Sequence, residues 1–253
     1  MVEHADYAAA VSLLRQQLLE YAAAVWESSA IDDAGLERLV SLMVPTVEAA
    51  QRSAAEFTSV YLAEATGSTV LPVSDAVVAG RGVAAETVYA RPVITARTAL
   101  AQGKSVAQAM DAGARRLQNI AGTDLQMAKV RQSDASLSHG GFRFYRRVLT
   151  GQENCALCVI ASTQRYHKGK LMPIHPGCDC NTDVIPRGMD LDQVIDPQLL
   201  RDTHDQVRAF TGVADAGGRA PDYRQLIVTH EHGEVGPVLA WRGQKFTSKA
   251  DIK

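Results

Sequence analysis

Apolar side chains recur every three or four residues along the first half of the chain, which is the spacing of one helix face. The predicted helices cover residues 5–28, Asp32 or Asp33 to about Ala65, 83–102, 106–120 and 123–135. Pro45 and Pro92 lie inside two of these helices, and each predicts a kink or a short break. Glycine and serine punctuate the pattern: Gly67 suits a helix end, and "QGKS" predicts that Gly103 ends one helix and Ser105 caps the next.

The pattern changes after residue 138. "FRFYRRVL" (142–149) reads as a strand, and "NTDVIP" predicts a second short strand that ends at Pro186. Two strands on either side of the cysteine-containing segment predict a small β-hairpin module. "DPQLLRDTHDQVRAFTG" predicts one more helix, and the apolar runs of the tail predict a terminal hairpin around Gly233–Gly236.

These elements define the expected fold class, α+β, with a mainly α-helical N-terminal half, a small zinc-stabilised β-hairpin module and a loop-rich C-terminal region. The expected division is a helical domain at 1–138, a zinc-knuckle β module at 139–190 and a loop-rich tail at 191–253.

Composition and charge exclude several function classes. The 253 residues carry a formal net charge of −2, so no overall basic field attracts nucleic acid. We find no apolar run of 18 residues and no signal-peptide pattern at the N-terminus, which predicts no membrane contact and synthesis in a reducing bacterial cytoplasm. In that compartment, clustered cysteines read more often as metal ligands or redox centres than as disulfides.

All four cysteines lie in one short window, "CALCVIASTQRYHKGKLMPIHPGCDC". Cys155 and Cys158 have the spacing of a metal knuckle, and Cys178 and Cys180 can present two sulfurs from one face of an extended segment. His175 lies within reach of the same centre, so five donors are available for the four places of a structural Zn²⁺. The preferred ligands are the four cysteines, with His175 either replacing one of them or supporting them from outside. His167 is a sixth candidate, which we place in the middle of a loop.

Other interpretations of the window remain open. Cys155 and Cys158 can form a redox dithiol, although no thioredoxin-like βαβ context surrounds them. The four thiols can also form two disulfides or remain buried and unbonded. A catalytic zinc is less favoured, because four protein ligands leave no open position for water.

Three further motifs carry weaker signals. "HEHGE" places His230, His232 and Glu234 on one strand face but lacks the H-E-x-x-H spacing of a metalloprotease, so an exposed polar face is favoured. "QGKS" lacks the first glycine of a phosphate loop. "RFYRR" mixes arginine with aromatic residues, as single-strand-binding surfaces do, but a solvated basic strand face is favoured.

The window from C-x-x-C to H-P-x-C-x-C resembles the C-terminal zinc-knuckle region of the MuF-like phage minor head proteins, also called phage head morphogenesis proteins. Cys155, Cys158, His175, Cys178 and Cys180 match that pattern, as does Pro176. The stretch "ALAQGKSVAQAMDAGARRLQ" is similar to the helix-turn-helix run of the family, and "VTHEHGEVGPVLAWRGQKF" is similar to the C-terminal end of its actinobacteriophage members. The resemblance extends from about residue 80 to the end of the chain.

The resemblance implies a structural virion protein of a tailed phage or prophage, not an enzyme. It would associate with the portal protein, the major capsid protein or both, and assist head assembly, DNA packaging or ejection. Packaged DNA is a further possible partner, whereas a membrane and a small-molecule substrate are not expected. Two alternatives from other classes stay open: a metal-dependent hydrolase or nuclease using His175, His230 or His232, and a zinc-stabilised single-strand-binding module using Arg143, Tyr145, Arg146 and Arg147.

Overall fold

A computed structural model describes residues 3–78, 81–150, 154–167, 178–185, 192–211, 227–232 and 236–243. Within these ranges the chain is mainly helical, with a small antiparallel sheet of three strands. The helices are α1 His4–Glu27, α2 Asp33–Thr66, α3 Asp75–Val78, α4 Ala85–Ala101, α5 Val106–His139, α6 Ala156–Ser162 and α7 Pro197–Thr211. The strands are β1 Phe144–Val148, β2 Arg165–His167, β3 Asn181–Val184, β4 Ile227–His232 and β5 Gly236–Trp241.

The first helices begin and end where the sequence predicts. The Asp32 side chain accepts a hydrogen bond from Gly35 N at 2.8 Å and so caps α2. Gly67 closes the same helix with φ +64°, a conformation that glycine adopts at little cost. Pro45 lies inside α2 and Pro92 inside α4, and both helices continue past them. A break at these prolines is therefore wrong, while a kink there stays a prediction.

The segment from Gly103 to His139 confirms one prediction and corrects another. Ser105 caps α5 through a reciprocal pair of hydrogen bonds with Gln108, as "QGKS" predicts. The two predicted helices at 106–120 and 123–135, however, are one continuous helix. Gly122 does not end the first of them, because residues 120–130 are all buried and packing outweighs the roughly 1 kcal/mol that a helical glycine costs.

The helical core depends on small residues that let the helices approach closely. Fully buried alanines include Ala22, Ala54, Ala96, Ala109 and Ala121. Gly113 is a site of close approach, because a Cβ at this position would clash with the Trp26 ring. Trp26 also donates its indole N–H to Met110 O at 3.0 Å, which fixes α1 against α5.

The three-stranded sheet has the order β2-β1-β3, with both pairs antiparallel. The predicted strands at 142–149 and before Pro186 correspond to β1 and β3. The predicted two-strand hairpin differs from the structure, because β2 forms a third strand on the other side of β1. Tyr145 and Arg147 point to the buried face of β1, and Tyr145 joins a core cluster with Tyr7, Tyr61 and Leu137 of the helices. The sheet is therefore packed directly on the helical bundle.

The C-terminal region contains the predicted helix, α7, and the predicted hairpin, in which β4 pairs with β5. Trp241, at the end of β5, packs against Ile160 of α6 and Leu200 of α7. In the part of the chain that the structure describes, no helix is both long enough and apolar enough to cross a membrane.

Candidate metal centre

Two short segments bring the four cysteines together. Cys155 is the residue that caps α6, and its Sγ accepts a hydrogen bond from Cys158 N at 3.4 Å. The first pair therefore lies on the opening turn of a helix, where backbone N–H groups face the sulfur. Cys178 and Cys180 lie immediately before β3, in the extended segment that leads into the strand.

The four sulfurs form a continuous series of contacts. The Sγ–Sγ distances are 3.4 Å between Cys155 and Cys158, 3.5 Å between Cys158 and Cys178, and 3.2 Å between Cys178 and Cys180. These distances exceed the roughly 2.05 Å of a disulfide bond, and none of the four is in a disulfide. Thiolates around a tetrahedral zinc ion lie about 3.8 Å apart, given Zn–S bonds near 2.3 Å. The sulfurs are thus slightly closer together than a bound zinc ion would hold them.

A formed metal site is not yet present in this arrangement. Among the described residues, no group of three or more His, Cys, Asp and Glu side chains has the geometry of one. The sulfur contacts are those of thiols that share hydrogen bonds along the series Cys155, Cys158, Cys178 and Cys180. Four thiols are the donor set that structural zinc prefers, so the chemistry of the residues fits this ion.

Contact between thiols and burial raise the pKa of two of the four cysteines, Cys158 and Cys180. Hydrogen bonds with Cys155 and Cys178, together with burial, raise the pKa of Cys158 far above its ordinary value. A hydrogen bond with Cys178 and burial also raise the pKa of Cys180. Neighbouring thiolates repel one another in a buried site, so ionisation of the cluster requires a cation at its centre.

Helix α5 forms one wall of the cluster. Gln126 donates from its side-chain amide to Cys180 O at 2.8 Å, and the same nitrogen lies 3.9 Å from Cys180 Sγ. One turn later, Lys129 Nζ donates to Asp179 O at 3.2 Å. A second cationic side chain, Arg147, comes from β1, and its Nη1 lies 3.5 Å from Cys180 Sγ.

The surroundings shift the pKa of Lys129 and the pKa of Arg147 in opposite directions. Burial lowers the pKa of Lys129 to about 8, and negative charge on Cys180 and Cys178 would act in the opposite direction. Burial alone would also lower the pKa of Arg147, but the neighbouring Cys180 and Tyr166 outweigh it and the net pKa is raised. Arg147 also lies over the Tyr166 ring, with Cζ 5.2 Å from the ring centroid.

Apolar side chains complete the surroundings of the sulfurs. Cys158, Cys178 and Cys180 are 2–3% exposed and pack with Leu157 and Ala161 of α6. Leu149, Tyr166 and Trp241 close the cluster from the sheet and from the C-terminal hairpin. Three of the thiols are therefore shielded from water, while Cys155 is the exposed one.

The structure describes only some of the histidines that the sequence singles out. His175 lies outside the described residues, as does Glu234. His230 and His232 are in β4, but their side chains lie outside the described part of the structure. His167, which we expected in a loop, is in β2 and packs edge-on against Phe144 with ring centroids 4.7 Å apart.

The predicted basic face at "RFYRR" is only half correct. Arg143 and Arg146 are exposed, and Arg146 pairs with Asp183 at 2.8 Å. Tyr145 and Arg147 are 0% and 2% exposed and point into the protein. Two of the four residues that would grip a nucleic-acid strand therefore cannot reach one, which argues against the single-strand-binding alternative.

The largest groove among the described residues lies elsewhere, between α4 and α5. It has a volume of about 790 Å³ and is open to solvent, with Arg91, Lys104 and Arg116 on its walls. Its one acidic residue, Asp111, pairs with Arg115. The groove therefore brings together no nucleophile, base and orienting group of the kind an enzyme uses.

Sequence reasoning missed Gln126, Lys129 and Arg147 as neighbours of the cysteines. A signal for Lys129 existed: it lies in a run of small and apolar residues, and no acidic residue is three or four positions away to pair with it. A lysine in that setting predicts a partner from another part of the chain. Comparison of the chain with known protein families, with curated proteins and with solved structures found no match.

Proposed function

We propose that this chain is a non-enzymatic structural protein in which Cys155, Cys158, Cys178 and Cys180 hold a structural zinc ion. The observation that carries the proposal is the unbroken series of Sγ–Sγ contacts at 3.2–3.5 Å among the four thiols. Bound zinc would supply the cation that lets all four ionise, and four thiolates would fill its coordination sphere. Such a closed site stabilises a fold and leaves no place for a reacting water.

The position of the cluster supports a clamping role. The cysteines connect α6 with the segment before β3, and that segment is bound by Gln126 and Lys129 of α5 and by Arg147 of β1. The sheet itself is small: β2 has three residues and β3 has four. A sheet of this size is marginal without support. A metal ion that joins the start of α6 to the segment before β3 would therefore contribute a large part of the stability of the sheet.

We further propose that the protein is a minor head component of a tailed phage or prophage that docks on the portal or the major capsid protein. This step rests on the resemblance of the cysteine window to MuF-like head proteins. The helical bundle supports it by exposing large apolar side chains such as Leu13, Phe57 and Ile94, which are 40–55% exposed. Residues of this kind are available to a partner protein, although single exposed apolar residues are also common on monomers.

Co-purification tests the head role directly. The tagged chain is expressed with the portal and major capsid proteins of the phage that encodes it, and complexes are isolated and sized. The proposal predicts that the chain elutes with one of the two partners. Elution of the chain alone, in the presence of correctly assembled portal and capsid protein, would contradict it. The zinc site is tested separately, through metal content.

A further inference from the structure

We infer that Arg147 and Lys129 are the buried counter-charges of the cysteine site. Their two positive charges would balance the net negative charge of a divalent ion bound by four thiolates. The inference rests on the proposed zinc site and assigns roles to two residues that are not metal ligands. The proposed function is that the cysteines bind zinc, and the inference is that Arg147 and Lys129 balance the charge of the bound site.

Arg147 faces the sulfurs because successive side chains of β1 point to opposite faces of the sheet. Tyr145 and Arg147 lie on the buried face of the strand, while Arg146 points to solvent. Arg147 is 2% exposed, and its Nη1 lies 3.5 Å from Cys180 Sγ. A guanidinium is charged at every accessible pH, so this contact places a permanent positive charge beside a ligand sulfur.

Lys129 approaches the second cysteine pair from α5, whereas Arg147 approaches it from β1. It is 4% exposed, and its Nζ donates to the carbonyl of Asp179, the residue between Cys178 and Cys180. Gln126 lies one turn earlier on the same face of α5 and holds the carbonyl of Cys180. The two side chains therefore fix the carbonyl groups of Asp179 and Cys180 to the helix.

The charges of the site balance for one ligand set. Burying a cation is unfavourable unless an opposite charge accompanies it. A zinc ion with four thiolates has a net charge of about −2, whereas three thiolates and one imidazole give about −1. Arg147 and Lys129 match the first set. The other nearby charges cancel: Arg15 and Asp179 are half-buried around one small cavity, and Arg146 pairs with Asp183.

Metal affinity of matched variants tests the assignment. Arg147→Met and Lys129→Met remove the charges and keep much of the side-chain volume. Arg147→Lys and Lys129→Arg retain the charges. Arg146→Met, on the solvent face of the same strand, is the control for a general loss of charge. Zinc affinity is measured by competition with a chromophoric chelator, with circular dichroism as the check that each variant is folded.

The expected result is a loss of about 10–100-fold in zinc affinity for Arg147→Met and Lys129→Met, the range seen when groups around metal ligands are removed. The charge-retaining variants should recover most of this loss, and Arg146→Met should bind as the wild type does. If Arg147→Met does not fold, the Lys129 pair carries the test, since methionine is well tolerated inside a helix.

Three results separate the possible failures. One zinc ion in the wild type with unchanged affinity in both methionine variants would overturn the inference and leave the zinc site intact. Equal loss in the methionine and charge-retaining variants would also overturn it, in favour of packing. A wild type without zinc would contradict the proposed function itself.

Cobalt substitution tests the number of thiolates. The ultraviolet charge-transfer absorption per bound Co²⁺ grows with each sulfur ligand. We expect the intensity of a four-thiolate site in the wild type and no change in His175→Ala. An intensity typical of three thiolates, with a further change on His175→Ala, would overturn the four-thiolate assignment.

Discussion

Gln126, in the middle of α5, donates its side-chain amide to the backbone carbonyl of Cys180 at 2.8 Å. Both residues are buried, and 54 positions separate them in the sequence. The contact makes α5, which is 34 residues long, a part of the surroundings of the cysteine cluster. A change that destabilises the cysteine cluster is therefore expected to destabilise the helical bundle as well.

Replacement of Cys158 by serine is expected to abolish zinc binding and to lower the thermal midpoint. Cys158 contacts the sulfurs of both Cys155 and Cys178, so its loss divides the cluster. Loss of a structural metal belongs to the small class of changes that cost more than about 4 kcal/mol. Calorimetry with and without a chelator measures the effect. The chelator should lower the midpoint of the wild type and leave that of the variant unchanged; an equal response of the two would contradict the zinc assignment.

Replacement of Asp124 by asparagine is expected to destabilise the helical bundle by about 3–5 kcal/mol. The Asp124 carboxylate is buried and accepts hydrogen bonds from Arg81 and from Tyr89, the latter at 2.7 Å. The change leaves the Arg81 guanidinium buried without its counter-charge. Denaturant unfolding gives the free energy of each variant.

The matched control for Asp124 is Asp111→Asn. Asp111 pairs with Arg115 on the surface, where both side chains are about 60% exposed. Exposed ion pairs of this kind contribute less than about 1 kcal/mol. Similar losses in the two variants would show that the buried network does not hold the bundle together.

Replacement of Tyr61 by phenylalanine is expected to loosen the contact between α2 and β3. The Tyr61 hydroxyl donates to Asp183 Oδ1 at 2.7 Å, while Arg146 binds the other carboxylate oxygen. A hydrogen bond to a charged group contributes about 1.5–3 kcal/mol, so the free energy of unfolding should fall by an amount in that range. Tyr21→Phe, at a position that is 38% exposed, is the control and should be neutral. A neutral Tyr61→Phe would contradict a stabilising role for the hydrogen bond between Tyr61 and Asp183.

His4 is expected to make the protein less stable in mild acid. Burial lowers the pKa of His4 below 6.5, and Arg146 and Lys129 act in the same direction while Asp183 opposes them. The unfolded chain therefore takes up the proton first as the pH falls. The contribution of His4 is complete above about pH 6.5 and decreases as the pH falls from that value towards the lowered pKa.

His4→Gln should flatten the dependence of unfolding free energy on pH in that window. His4 lies against the Tyr61 ring with centroids 5.6 Å apart, and its Nε2 has no hydrogen-bond partner among the described residues. His139→Gln, which removes an exposed histidine at the end of α5, is the control. A similar flattening in both variants would contradict the assignment to His4.

Sequence patterns predicted the elements whose signals are local. The cap at Asp32, the capping box at Ser105 and the strands around the cysteines depend on neighbouring residues, and the structure has them. The predicted gap between the helices at 106–120 and 123–135 was wrong, because burial of residues 120–130 keeps α5 continuous there. Strand β2 was missed because three residues are too few to show an alternating pattern.

The candidate site was predicted as far as one segment of sequence can define it. Cysteine spacing predicts the donors, because a chelating pair is a local feature, and the structure brings the four sulfurs into one series of contacts. Metal binding by these four residues stays a prediction. Lys129 and Gln126 come from a helix some 50 residues earlier, so only the folded chain shows their contacts with the second cysteine pair. Arg147 was read as a solvated residue, since alternation along β1 does not reveal which face is buried.

Zinc content per chain, combined with titration of the native thiols, tests the central claim most directly. The protein is purified without chelator, the metal is measured by elemental analysis, and the reactive thiols are counted before and after unfolding in chelator. The account predicts one zinc ion per chain, four masked thiols in the native protein and four reactive thiols afterwards. A metal-free protein whose native thiols react rapidly would contradict it.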